Sequence, residues 1–111
     1  MFKRMLIIVF LQAAIGYLVL PETFASDIDG QGLYTRHCVL CHGDDGSGKT
    51  DLGEGLGARD LNEKEFQAGI TDEQIVEQIA NGTEDKMMPF EGKLTAEEMH
   101  ALVPVIRAFG K

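Results

Sequence analysis

The sequence predicts an all-α domain of about four short helices joined by long Gly-rich loops. Three observations carry this. Thr71-Asp72-Glu73-Gln74 and Thr95-Ala96-Glu97-Glu98 are both capping boxes, each opening an apolar-periodic run. Met99, Leu102, Val103 and Ile106 fall at i, i+3, i+4 and i+7, which is one face of a helix. No stretch alternates apolar and polar residues in the way a half-buried strand does, and there is no internal repeat or low-complexity tract.

Residues 1–25 stand outside that domain. Lys3 and Arg4 are followed by an apolar run from Met5 to Leu20, broken only by Gln12 and Gly16 and ended by Pro21 and Glu22. Thr23-Phe24-Ala25 then supplies small residues at the two positions a signal peptidase reads, so residues 1–25 read as a secretory signal peptide. The rival is a retained membrane anchor. A helix over this sixteen-residue run reaches about 24 Å, short of a bilayer core of about 30 Å. Under either reading residues 26–111 lie outside the cytoplasm.

The first helix of the domain is expected over about Ile28 to Leu40, with Gly30 and Gly32 weakening its start. Gly43 to Gly57 reads as a long Gly-rich loop. A phosphate-binding loop is the rival for these glycines before Lys49-Thr50, and it is set aside because no strand precedes them. Asn62-Glu63-Lys64-Glu65 starts a short helix that ends by Gly69. The helix opened by Thr71 turns Ile75, Ile79 and Ala80 inward and closes at Asn81-Gly82. The helix opened by Thr95 carries the apolar stripe, with Pro104 inside it removing the bond to the His100 carbonyl and expected to kink it.

The chain has 111 residues, enough for one domain, and its 44% apolar and 25% charged residues are those of a globular protein. Ten basic residues against 18 acidic ones give a net charge of −8, which argues against nucleic acid as a partner. Loss of residues 1–25 removes two basic residues and one acidic, and leaves the domain more acidic still. Aromatic residues are 7% and Trp is absent. So small a domain with so thin an aromatic content needs a staple, and points to something other than side chains filling its middle.

The two cysteines stand together in Cys38-Val39-Leu40-Cys41-His42. As a disulfide they would close a two-residue loop and restrain almost none of the unfolded chain. A thioredoxin-like site needs a strand–helix unit around the pair, which is lacking. Zinc needs two more ligands, and beyond this motif the chain offers only His37 and His100 and no second Cys pair. C-x-x-C-H is the signature of covalent haem attachment. Thiols one helical turn apart reach the two vinyl groups on one haem edge, and the next residue places its imidazole under the iron. Cys38 and Cys41 are therefore assigned to one haem c, and His42 to its iron.

A six-coordinate carrier needs a second axial ligand, and Met opposite His raises the potential. Met87-Met88-Pro89-Phe90 lies in a segment bounded by Gly82 and Gly92. Pro89 biases Met88 towards an extended conformation, which holds its side chain across the chain path. Met88 is preferred as the ligand over Met87. The plain alternative is that either fills space in a loop, as Met commonly does. Met5 belongs to the leader and Met99 to the core face of the last helix.

The chain resembles a class I c-type cytochrome of the small bacterial monohaem kind. Gly30-x-x-Leu33-Tyr34 leading into Cys38, Cys41-His42-Gly43 with Asp45-Gly46-x-Gly48, Met88-Pro89, and Leu94-Thr95-x-x-Glu98 with Leu102 to Gly110 carry the resemblance across most of the domain. Residues 50–69 carry least of it. The resemblance implies a cytochrome c-like bundle wrapped around one covalently bound haem, a periplasmic electron carrier, and a first and last helix crossing at a Gly and an aromatic. Gly30 and Tyr34 match the first-helix side of that crossing. Val105 stands where the family usually has an aromatic, so either the crossing is looser or Phe109 supplies the ring. The family often fixes its haem-ligating His through a proline carbonyl. No Pro lies between His42 and Met88, and a carbonyl between Gly53 and Gly57 is expected in its place.

The function expected is one-electron transfer without an independent enzymatic activity, since no nucleophile–base pair or other cofactor fingerprint appears. The expected partners are redox proteins with a basic docking patch, the carrier itself being a monomer, and membrane contact is expected only if residues 1–25 are retained. Three alternatives stand: a gas sensor or small-ligand binder if Met88 does not bind, a haem subunit fixed to a larger respiratory complex, and a thiol redox protein without haem. Arg59 either pairs with Asp60 on the surface or forks onto a haem propionate. His37 is expected to face solvent and His100 to lie on a helix flank. Leu33, Tyr34, Ile79, Phe90, Leu102 and Ile106 are the expected apolar shell. Thr83-Glu84-Asp85-Lys86 brings charge to the Met loop, where it would help select partners.

Overall fold

The computed structural model describes residues 27–111, together with Gly16. The expected signal peptide, apart from Gly16, and its expected cleavage point therefore lie outside the described residues. Among those residues the fold is helical without a strand: α1 Gly30–His37, α2 Val39–His42, α3 Asp51–Leu56, α4 Lys64–Gly69, α5 Asp72–Asn81 and α6 Ala96–Ala108. Two isolated bridges, Thr83 to Met87 and Glu91 to Leu94, brace the loop between α5 and α6.

Four of these helices, α1, α3, α5 and α6, begin where a side chain satisfies a free N–H group. The Asp29 carboxylate accepts from Gly32 N–H at 2.9 Å and opens α1. Both Thr boxes close reciprocally, Thr71 with Gln74 and Thr95 with Glu98. The expected single helix from Ile28 to Leu40 is instead two, because Cys38, at φ −117°, ends α1 and starts α2. The expected loop from Gly43 to Gly57 contains α3. Thr50 caps it by accepting from Gly53 N–H at 2.8 Å, and Gly57 ends it in the left-handed conformation at φ +69°. Gly53 has to be glycine, since a Cβ there would overlap the Cys41 carbonyl. α6 runs through Pro104 to Ala108, with Pro104 on its exposed side.

The core is made of Leu33 and Tyr34 of α1, Ile75 and Ile79 of α5, and Met99, Leu102, Val103 and Ile106 of α6, closed by Leu61, Phe90 and Leu94. Burying each such side chain is worth about 1.5–3 kcal/mol. α1 and α6 cross tightly at Gly30, where a Cβ would overlap the Ala101 carbonyl and lie 3.2 Å from Val105 Cγ2. The ring that the crossing needs comes from Phe109, 5.2 Å from the Tyr34 ring and tilted by 48° to it. Arg107 ties α6 to the α4–α5 junction. Its guanidinium donates to the Gln67 carbonyl at 2.7 Å, the Ile70 carbonyl at 2.6 Å and the Asp72 carboxylate at 2.9 Å.

Candidate functional site

The helices and the loops between them border a half-open cavity of about 1140 Å³. Cofactor and small-ligand sites usually span about 300–1,000 Å³, and side-chain packing leaves few voids larger than a water molecule. Its wall is largely apolar, with Tyr34, Leu52, Leu61, Phe66, Ile75 and Phe90 among the residues lining it. Cys38, Cys41 and His42 line it from the α1–α2 junction, and Met87 and Met88 from the loop after α5. The residues singled out for haem attachment and ligation thus share one cavity although almost fifty positions separate the two groups in the chain.

The motif is held locally by backbone geometry. His42 N–H donates to the Cys38 carbonyl at 2.9 Å and Cys41 N–H to the same oxygen at 3.3 Å, so the two thiols sit one turn apart. Both cysteines are free thiols and half-buried. Burial, with Cys41 as neighbour, pushes the Cys38 thiol up to about 11 and disfavours thiolate chemistry of the thioredoxin kind. Among the described residues no group of three or more His, Cys, Asp or Glu side chains is placed to hold a metal ion, which leaves zinc without its further ligands.

His42 Nδ1 lies 3.1 Å from the Arg59 carbonyl. A carbonyl only accepts, so Nδ1 carries the proton and Nε2 is left with its lone pair. Burial lowers the His42 pKa, while the bond to Arg59 opposes that shift. Burial favours the neutral imidazole and the bond to Arg59 fixes its tautomer, which together give the form a metal requires. The accepting carbonyl is Arg59's and not one between Gly53 and Gly57. The Gly53 and Glu54 carbonyls there are used by the end of α3, receiving Ala58 N–H at 2.8 Å and Gly57 N–H at 3.4 Å, and the carbonyl that meets His42 lies two residues beyond Gly57.

Gly43-x-x-x-x-Gly48-Lys49-Thr50 has the residue spacing of a phosphate loop, but not its structure. It follows helix α2. Its amides are already used: Gly46 N–H by the Gly43 carbonyl at 3.2 Å, Ser47 by the Asp45 carboxylate at 3.0 Å, and Gly48 by the His42 carbonyl at 2.8 Å. The Thr50 hydroxyl donates to the Leu40 and Cys41 carbonyls, both at 2.9 Å. The loop is a clamp on the haem motif. Tyr34 completes it from below, its hydroxyl donating to the Gly43 carbonyl at 2.7 Å.

The methionine loop is fixed at both ends. Thr83 N–H donates to the Met87 carbonyl at 2.8 Å and Met87 N–H to the Thr83 carbonyl at 2.9 Å, while Phe90 N–H reaches the Ile79 carbonyl at 3.0 Å. Gly82, at φ +64°, lies against this backbone, where any Cβ would meet the Met87 carbonyl. Met88 is 56% exposed, with Lys93 Nζ 3.7 Å from its sulfur. Met87 packs partly against the core.

Other residues depart from expectation. Arg59 does not pair with Asp60, whose carboxylate accepts from Asn62. It lies 3.9 Å from Glu63 and stacks over the Phe66 ring at 5.1 Å, on the cavity wall. His37 does not simply face solvent: it is half-buried, lines the cavity and meets the Phe90 ring edge-on at 5.7 Å. His100 is a flank residue, with Nδ1 2.8 Å from the Ala96 carbonyl. The expected apolar shell is buried throughout. The Gln67–Arg107 latch and Gln78 of the cavity wall carry no sequence signal, because an isolated polar residue on a helix does not announce its partner.

The cavity and its donors fit a haem. The wall is apolar, two thiols stand one turn apart, and a neutral imidazole and thioether sulfurs border the same space. A family model described as cytochrome c oxidase, cbb3-type, subunit III, matches residues 25–104. The chain belongs to this family. The cytochrome c domain that defines it binds haem c covalently and supports haem-based electron transfer. Two curated relatives are cbb3-type cytochrome c oxidase subunits FixP. That of Bradyrhizobium diazoefficiens is 28% identical over 81 residues, 73% of this chain and 27% of its own length. That of a second Bradyrhizobium strain matches at the same 28% identity and the same coverage of 73% and 27%. This cytochrome c domain therefore spans about a quarter of the curated relatives it matches. The solved structure of KustC0563, a c-type cytochrome, superposes with a TM-score of 0.72 at 60% identity, covering 76% of this chain and 100% of that one. A tyrosine-to-phenylalanine variant of it gives 0.70 at 58% identity, covering 74% and 99%.

Proposed function

We propose that this cytochrome c domain carries one electron at a time on a single haem c, moving between respiratory partners outside the cytoplasm. Cys38 and Cys41 would hold the group by thioether bonds, and His42 Nε2 and Met88 Sδ would bind its iron. When bound, the haem supplies a reversible Fe(III)/Fe(II) couple. The observation that carries the reading is the shared cavity: the C-x-x-C-H residues and the Met-Pro loop border one apolar space, and His42 is already held in the ligating tautomer. The Gly43–Thr50 clamp and the doubly bonded Thr83–Met87 turn keep both ligands in place, so electron gain or loss requires little movement. The apolar wall limits water and tunes the potential. The single C-x-x-C-H in the sequence supports one haem.

A second reading is a haem subunit fixed in a larger respiratory complex, which the cbb3 family match and the FixP relatives favour. Residues 1–25 bear on the choice, since a retained anchor suits a fixed subunit and cleavage after Ala25 suits a diffusible carrier. Among the described residues no helix is long and apolar enough to cross a membrane.

The test is an absorption spectrum of protein matured with the cytochrome c machinery. The expected result is a sharp low-spin reduced spectrum, with a weak near-infrared sulfur-to-iron band in the oxidised form. Met88→Ala abolishes that band and Met87→Ala keeps it. A high-spin spectrum that shifts with carbon monoxide would turn the reading to ligand binding. Absence of haem would refute it.

A further inference from the structure

Two adjacent methionines border the cavity, and successive side chains of an extended segment point to opposite sides. The backbone register of this loop therefore decides which sulfur meets the iron. We infer that Gln78 of α5 is the positioning residue that sets this choice, by clasping Met87 and so leaving Met88 as the ligand; the inference rests on the ligation proposed above.

Gln78 lines the cavity one turn before the end of α5. Its Nε2 donates to the Thr83 hydroxyl at 2.9 Å and to Met87 Sδ at 3.4 Å. These are the two residues whose amides and carbonyls pair with each other across the turn. One amide group thus holds the side chains of the very pair that fixes the register. A thioether is a weak acceptor, but the same amide nitrogen is also held by its bond to the Thr83 hydroxyl, so it stays aimed at the turn. Met88 has no such tie to α5. Its sulfur meets only the flexible Lys93 amine, 3.7 Å away, among its side-chain hydrogen bonds.

The test compares matured holoproteins carrying Met88→Ala, with and without Gln78→Ala, and reads the ferric near-infrared band and the upfield methyl resonance of an axial methionine in the ferrous protein. Gln78→Glu is run beside Gln78→Ala, because a carboxylate keeps the shape of the side chain but cannot donate to sulfur. Met88→Ala alone is expected to lose both signals. Adding either Gln78 variant is expected to restore them in part, through Met87. In the single Gln78 variants a second methyl resonance appears, since loss of one hydrogen bond shifts such a ratio by roughly five- to tenfold. Signals retained in Met88→Ala with Gln78 intact overturn the inference, because Met87 was then free to bind. Signals absent from both double variants, with haem still attached, overturn it too. A different failure is recognisable: if Met87→Ala removes the band and Met88→Ala does not, the ligand assignment itself is reversed.

Discussion

Tyr34 shows how much one hydroxyl does in this fold. It is almost wholly buried, and burial followed by the neighbouring Cys38 raises its pKa well above the ordinary tyrosine value, so the hydroxyl stays a donor. It spends that proton on the Gly43 carbonyl, one residue past His42. Tyr34→Phe leaves that carbonyl with only the longer bond from Gly46 N–H, at 3.2 Å, and is expected to lower holoprotein stability by about 0.5–1.5 kcal/mol in urea unfolding, while the reduced spectrum stays low-spin. An unchanged midpoint would mean that water replaces the hydroxyl. At this scale the candidate ligands were legible because covalent haem attachment demands a short fixed spacing, and because Pro89 restricts the residue before it. The partner of His42 was not legible. Which carbonyl meets His42 depends on where α3 ends, and two glycines in Asp51–Leu56 hide that helix from a propensity reading, although Thr50 and Gly57 mark its ends.

Between elements the decisive contact is the α1–α6 crossing. Gly30→Ala gains helix propensity of up to about 1 kcal/mol, but places a Cβ into the Ala101 carbonyl, where the obstacle is backbone and cannot rotate away. The steric cost wins, and we expect a net loss of about 1–3 kcal/mol measured by urea unfolding of the holoprotein. A stabilised variant would show that the helices can separate at this point. Thr95→Ala removes a cap whose hydroxyl accepts Glu98 N–H at 3.1 Å, and is expected to cost about 1 kcal/mol by the same measurement. The starts of the two helices with capping boxes, α5 and α6, were readable to within a residue, and so was the end of α5 at Asn81. Propensity could not place the break at Cys38, which divides the expected first helix into α1 and α2. The aromatic at the crossing was readable only as a choice, since Phe109 lies beyond the helix and reaches Tyr34 by the course of the chain's last turn.

Over the whole molecule the net charge of −8 and the chemistry of the cavity mouth point in different directions. Leu40 at 72% exposure, Leu52 at 43% and Met88 at 56% form an apolar rim on the cavity, and cations stand beside it: Arg59 and Lys86 line the same cavity, and Lys93 lies next to Met88. An electron-transfer partner feels both the global negative field and this local rim. The global term reaches farther at low ionic strength, where the screening length is about 30 Å at 0.01 M against about 8 Å at 0.15 M. These cations are already counted in the net charge of −8, so at that range they do not change its sign. Oxidation of the ferrous protein by a small cationic complex is therefore expected to slow at least several-fold between those salt concentrations, and oxidation by a small anionic complex to accelerate. Stopped-flow traces at the two ionic strengths decide it. The reverse salt dependence would mean that Lys86 and Lys93 govern approach to the site, and Lys86→Ala would then weaken it. The expected sign is the one that makes a basic patch the complement on a physiological partner, because steering and orientation follow the same field.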